Sequence, residues 1–339
     1  MTEILYGLGP AQQERIAALR AEGSFFWLDV SLSETSVEDL VDVLDIPSRA
    51  VPALAATDDA HSSRTFHTDG ESVVFVFRCY VDSAGADVAG YRMRPVRVQI
   101  VVTGDYLLTL HDERISLPAE LAPDVPEDRG KRYAVYSVLD AMLTSNFDAL
   151  DEIERWLDEL AAFGSDEDST DDGQSSRVTR RTLRVSAARL ATLRRWVGAE
   201  EGIFRRATLE IDALPGFDEP DKPAFGSLVD QLGRLVASVD ASADGAGMLL
   251  DLQLNERAYV VSVIATIFVP MTFITGYFGM NFKWMTDHIE SPVTFLLLGV
   301  GVPALVGFLS WRFLVRGLLV DDRRTVRDTS SRPRPRRRR

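Results

Sequence analysis

Asn281 is the residue whose chemistry and position point furthest. It ends the run Tyr277-Phe278-Gly279-Met280-Asn281 between two apolar segments, Val260–Phe278 and Val293–Trp311, neither of which contains a charged residue. Each segment is long enough to cross a hydrocarbon core of roughly 30 Å as a helix rising about 1.5 Å per residue. Fourteen residues, Gly279 to Pro292, separate them, so the chain crosses, turns and returns. A neutral amide at the outer end of a span accepts hydrogen bonds from the water shell of a cation. It does so without the grip of a carboxylate, which suits an ion such as magnesium that dehydrates reluctantly. Gly279 lets the backbone leave the helix there. As a bare tripeptide, Gly-Met-Asn reads equally as a helix C-cap followed by a loop.

The first span also carries a stripe. At alternating steps of three and four lie Asp244, Met248, Asp251, Asn255, Ala258, Ser262, Ala265, Val269, Thr272 and Gly276. All are small or polar except Met248 and Val269. The flanking faces carry Ile264, Ile267, Phe268, Met271, Phe273 and Ile274. Such a stripe lines a pore or forms a helix-packing seam. Asp244 and Asp251 continue it as rings of charge at an inner mouth or as a solvated helix face. Two spans cannot enclose a channel alone, so conduction requires an oligomer.

Composition sets the topology. Residues 312–339 hold 11 Arg against Asp321, Asp322 and Asp328, a net of +8 in a chain of net −14, which leaves −22 on residues 1–311. The positive-inside rule puts the Arg312/Arg316 flank in the cytoplasm, and with it both termini and the large N-terminal body. An acidic body gathers cations and disfavours nucleic acid. No apolar segment of signal-peptide type follows Met1, and the one cysteine, Cys79, reads as a core residue. No phosphate-cradling loop, zinc spacing or catalytic triad is evident, which argues against an enzyme or an ATP-driven pump.

The body must hold this hairpin. Ser24–Val30 and Ser72–Tyr80 read as strands, and Val96–Val102 and Tyr106–Leu110 as a hairpin around Thr103-Gly104-Asp105. Thr35-Ser-Val-Glu38 reads as a capping box opening a helix through Val43 and Leu44. Long helical periodicity follows over Tyr133–Phe163 and Arg177–Ala213, joined by the acidic Ser165–Gly173, and then from Pro223 without a break to Pro270. The expected organisation is an α/β domain with one mixed sheet over residues 1–125, a helical hairpin over 126–222 and a stalk helix over 223–257. Spans over 258–278 and 293–315 flank an external loop over 279–292, and a basic tail covers 316–339.

Asn255-Glu256, Ile264-Ala-Thr-Ile-Phe268, Pro270-Met-Thr-Phe-Ile274, Gly276 and Phe278-Gly-Met-Asn281 together resemble the first span of the CorA family of two-span metal-ion transporters. That pattern has Pro-x-Thr-Phe-Ile-x-Gly before an aromatic-Gly-Met-Asn. The resemblance implies a funnel-shaped homopentamer in the plasma membrane, passing magnesium and also cobalt or nickel. It implies an outer ring of Gly279, Met280 and Asn281 that meets hydrated Mg2+. A hydrophobic constriction would fall at Val261 or Val269, further pore-lining groups at Asn255, Ser262, Ala265, Thr272 and Gly276, and a basic ring at Arg312 and Arg316. It implies closure by cytosolic Mg2+ bound between subunits, at carboxylates the sequence does not place. No organic cofactor is implied. The loop departs from the family's Met-Pro-Glu type of segment, reading Phe282-Lys-Trp-Met-Thr-Asp-His-Ile-Glu290. Two other readings stand beside this one. The first is a ZntB-like zinc transporter, against which Met280 speaks. The second is a membrane-anchored sensor or scaffold that conducts nothing.

Overall fold

The structure is a computed structural model. It describes residues 2–47, 49–54, 66–83, 85–87, 90–123, 130–163, 175–217, 225–278, 293 and 296–312. Two compact units divide it, Met1–Met248 and Leu249–Arg339.

The first unit is built on a six-stranded mixed sheet. In chain order its elements are β1 (Glu3–Tyr6), α1 (Pro10–Glu22), β2 (Phe26–Ser31), α2 (Val37–Leu44), α3 (Val51–Leu54), β3 (Phe66–Thr68), β4 (Ser72–Asp82), β5 (Met93–Thr103), β6 (Tyr106–His111) and α4 (Leu117–Leu121). Two long helices follow, α5 (Lys131–Phe163) and α6 (Ser175–Asp212), and then α7 (Phe225–Phe278). The strand order is β1-β2-β6-β5-β4-β3, with β1, β2 and β6 parallel and the rest antiparallel. Strand β6 therefore serves twice. It closes the short hairpin with β5 and supplies the parallel neighbour that β2 lacks locally.

Apolar residues of β2, β4, β5 and β6 pack against α1–α3, with Phe26, Leu28, Val74, Val101, Leu108 and Leu110 all buried with Ile16, Leu40 and Leu44. Helix α6 drives Phe204 between Phe75 and Phe77 of β4, at ring-centroid separations of 6.4 and 4.7 Å. Beyond Phe75 no strand among the described residues pairs with the outer edge of β4, because the pairing with β3 ends there. Helix side chains take over its backbone groups. Ser145 accepts from the Tyr80 amide at 2.9 Å, Asn146 donates to the Arg78 carbonyl at 2.9 Å, and Glu200 accepts from the Arg78 amide at 3.1 Å. An edge closed in this way offers no row of free amides to another chain.

The mixed sheet, the three long helices and the β5–β6 hairpin match the expected fold class, and Cys79 is buried in the core. The helix expected to open at Thr35 is capped one residue later. Ser36 accepts from the Asp39 amide at 3.1 Å, so the serine of the Thr-Ser pair is the cap and Asp39 its partner. Strand β1 and helix α1, absent from the sequence reading, precede β2; α1 opens on Pro10 and ends at Gly23 with φ 65°. The acidic link 165–173 between α5 and α6 lies wholly outside the described residues.

In the second unit, the second apolar segment is not a plain α-helix throughout its described residues. Leu296–Gly301 forms a π-helical turn, and an α-helix follows over 302–312. Pro303 has no N–H to return to the carbonyl four residues back, and a wider turn accommodates that loss.

Candidate functional site

Helix α7 is one 54-residue helix. Its first part belongs to the soluble core, burying Phe225, Leu228, Leu232, Leu235, Val239 and Ala246 at helical spacing. After Ala246 its character inverts. Met248, Leu252, Leu254, Val261, Phe268 and Phe273 are each half-exposed or more, and Ala258–Tyr277 is a 20-residue stretch of mean hydropathy 2.0 with none of it buried. A core helix of a soluble protein buries such a stretch. An apolar helix with nothing around it is suited to lipid.

The stripe residues fall on this helix, spaced by threes and fours along one line. Asp251, Asn255, Ala258, Ser262, Ala265, Val269, Thr272 and Gly276 are all exposed in the single chain, as is Val261 beside that line. The Thr272 hydroxyl donates to the Phe268 carbonyl at 2.7 Å, and Thr266 and Thr275 make the same four-residue return bond. A threonine in an apolar helix thereby satisfies its proton and keeps oxygen lone pairs for a visitor. A Cβ placed on Gly276 would meet nothing within 4 Å. Gly307 in the 302–312 helix faces Met271 closely, since a Cβ there would sit 3.2 Å from the methionine sulfur. That contact joins the two apolar segments through a small residue.

Asp244 stands in the soluble unit. Its side chain is 79% exposed and lies 3.8 Å from the Arg194 guanidinium of α6, which pairs more closely with Asp240 at 2.7 Å. Arg194 was not legible as a neighbour, since fifty residues separate it from Asp244. Arg312 is exposed at the end of the 302–312 helix. Gly279, Met280, Asn281 and Arg316 lie outside the described residues, as does the 279–292 loop. Among the described residues, no three His, Cys, Asp or Glu side chains of one chain converge on a metal-sized point.

A mixed α/β body whose last helix carries an unburied apolar stretch of spanning length fits the class of membrane-inserted proteins with a large aqueous domain. The family described as CorA-like Mg2+ transporter protein matches residues 22–316, and the chain belongs to that family. Among curated relatives, the zinc transport protein ZntB of Pectobacterium atrosepticum is 24% identical over 227 residues, covering 64% of this chain and 66% of the relative. The cobalt/magnesium transport protein CorA of Thermotoga maritima is 28% identical over 178 residues, 50% of this chain and 48% of the relative. The chain thus spans just under two thirds of the zinc relative and about half of the cobalt/magnesium one. Among solved structures, the CorA magnesium transporter of Methanocaldococcus jannaschii shares the fold, with a TM-score of 0.51 at 18% identity over 86% of this chain and 90% of that one.

Proposed function

We propose that the protein is a passive channel or transporter for divalent cations, assembled as a homopentamer around α7. The observation that carries this reading is the line of small and polar residues from Asn255 to Gly276 on an apolar helix that the described residues leave unburied. Five copies placing that line inward would surround an aqueous path, with bulky Ile264, Phe268 and Phe273 turned toward lipid and neighbouring helices. Asn281 would ring the outer entrance with neutral carbonyls for the hydrated ion. Val261 or Val269 would supply the apolar constriction at which a pore closes by dewetting. Asp244 and Asp251 would raise cation concentration at the inner mouth, and Arg312 and Arg316 would form the basic flank. Two charges moving inward across about 100 mV release roughly 4.6 kcal/mol, so no nucleotide is needed.

Magnesium is the proposed cargo, with cobalt or nickel as further ions. Residues 277–281, with Met280 in the tripeptide, support it. Zinc is the second reading, supported by curated relatives named as zinc transport proteins. For regulation, cytosolic Mg2+ would bridge carboxylates of different copies, relieve their repulsion and favour a closed assembly.

The test is ion uptake into proteoliposomes under a potassium diffusion potential, with magnesium and zinc measured separately. Magnesium flux that rises with inside-negative potential is expected. Asn281→Ala should lower it at least tenfold while the oligomer keeps its size. Zinc flux alone would establish the second reading. Absence of both would leave a membrane-anchored scaffold, and full flux in assembled Asn281→Ala would remove the asparagine ring.

A further inference from the structure

Helices α5 and α6 carry opposite charge on their outward faces. Helix α6 exposes Arg181, Arg184, Arg195 and Arg206 along one line, with Ala188 and Gly202 between them. A Cβ placed on Gly202 would meet nothing within 4 Å, so a second helix can come close there. Helix α5 exposes Asp148, Asp151, Asp158 and Glu159 along one line, with Arg155 the one cation on it. Among the described residues, Arg181, Arg184 and Arg195 pair with no carboxylate, and these α5 carboxylates pair with no cation. In a chain of net charge −14, a helix line of arginines with no carboxylate on it calls for an acidic partner.

The two lines are the free edges of a helical layer. On each helix the charged line lies opposite buried residues, Leu150 and Leu157 of α5 and Leu183 and Leu190 of α6. The sheet takes another side, through Glu152 at the Arg92 and Met93 amides and Glu200 at the Arg78 amide. Helix α7 takes the remaining one, with Ser242 on Glu154 and Asp240 on Arg194.

The levels match as well as the signs. Met93 gives its amide proton to Glu152 of α5 and takes one on its carbonyl from Arg189 of α6. The Tyr91 ring lies against Trp156 of α5, and its hydroxyl bonds Ser186 of α6. Residues 152 and 156 are thus level with 189 and 186, and the helices are antiparallel. Counting out from there sets Asp158 and Glu159 level with the turn that carries Arg181 and Arg184, and Asp148 within about two residues of Arg195. Helix α7 runs beside α5 in the same direction, meeting it at Tyr136 with Ser227, Asp140 with Gln231 and Glu154 with Ser242. Rotation about an axis along α7 shifts nothing along that axis, so copies arranged around it keep these levels. A two-fold contact of either edge with itself would set like charges together.

We propose that neighbouring copies of this chain pack head to tail through these edges, α6 of one against α5 of the next, with Arg181 and Arg184 facing Asp158 and Glu159, and Arg195 facing Asp148. The contact rests on the proposed assembly about α7 and gives it a second, aqueous seam. Each exposed pair is weak, so the seam sets the register and direction of the ring rather than holding it together.

Disulfide trapping of the full-length protein in detergent tests it, with Arg155→Cys and Ala188→Cys in one chain. Both positions are exposed, nearly level and on opposite edges, so they meet only between copies, and the native Cys79 is buried. Oxidation should give a ladder of linked chains, while each single variant stays unlinked. Arg184→Glu/Arg195→Glu should lower the linked fraction about fivefold or more, and adding Asp148→Arg/Asp158→Arg to the same chain should restore it, each protein melting within a few degrees of the wild type. Should a reversal variant lose its fold, salt at about 1 M makes the same test on the Arg155→Cys/Ala188→Cys protein, whose linked fraction should fall severalfold. No ladder from a particle of five-chain mass would overturn the seam and leave the assembly standing, with the arginines left to another occupant such as the acidic residues 165–173. A particle of one-chain mass would overturn the assembly and the seam together. Linked dimers of a single variant, a loss that the second reversal does not restore, or linking indifferent to both charge reversal and salt would each overturn the proposal.

Discussion

Glu200→Gln asks whether burial or ion pairing governs the contact between β4 and α6. The Glu200 carboxylate is 2% exposed and accepts from both the Arg78 guanidinium and the Arg78 backbone amide, while Trp196 stacks on the guanidinium 4.8 Å away. Loss of hydration pushes its acid up from 4.5 to about 7, and the attraction of Arg78, with a smaller one from Arg97, offsets only part of that. The sign follows. The folded state holds this proton more tightly than the unfolded chain, so the stabilising effect is complete below about pH 4.5 and is lost as pH rises through about 7. Moving the acid from 4.5 to about 7, at about 1.36 kcal/mol per tenfold change in proton affinity, sets a ceiling of about 3 kcal/mol. Glutamine keeps an acceptor oxygen for the Arg78 amide and cannot ionise. The two proteins should therefore melt alike at pH 4.5 and diverge above it. By pH 8 Glu200→Gln should melt about 6–12 °C higher, at 2–4 °C per kcal/mol for a unit of this size. The assay is differential scanning fluorimetry of both purified proteins from pH 4.5 to 8. The difference between them cancels carboxylates distant from the pair. A variant that melts below wild type at pH 8 would show that Arg78 outweighs burial, and the reasoning would fall.

Two further outcomes rest on the same coordinates. Phe204→Ala removes a ring that is fully buried against Phe75 and Phe77, and should cost about 3–5 kcal/mol. A melting temperature within a degree of wild type would contradict the docking of α6 on β4. Asp244→Asn/Asp251→Asn removes two exposed carboxylates, one of them only 3.8 Å from Arg194 in a solvent-screened pair worth at most about 1 kcal/mol. Stability should change little, while cation flux should fall severalfold at low ionic strength and recover in high salt. Unaltered flux at low salt would place these carboxylates away from the conduction path.

What the sequence made legible was local. Helices α5, α6 and α7 carry their apolar residues at helical spacing, and β5 and β6 are joined by only Gly104 and Asp105. Both signals lie within a few neighbours along the chain. Strand β1 has four residues and α1 a weak apolar face of Ile16 and Leu19, too little pattern to read. The insertion of β6 beside β2 joins residues about eighty apart, and the Arg78–Glu200 pair spans 122. No window contains both partners. The stripe of small and polar residues was legible because all of it lies on one helix. The Gly279-Met280-Asn281 tripeptide was recognised by resemblance and lies outside the described residues.

Helix α7 also ties two events together in time. Ala246, the last buried residue among those described on it, closes the core of the first unit, and the apolar stretch opens at Ala258, twelve residues later. At about 5–20 residues per second of synthesis, that interval is on the order of one second. The final layer of the core thus becomes available to dock just as the segment bound for the bilayer leaves the ribosome. The body completes itself on a nascent chain already about to be captured by the membrane. A delay in either event leaves apolar surface of the same helix exposed to water.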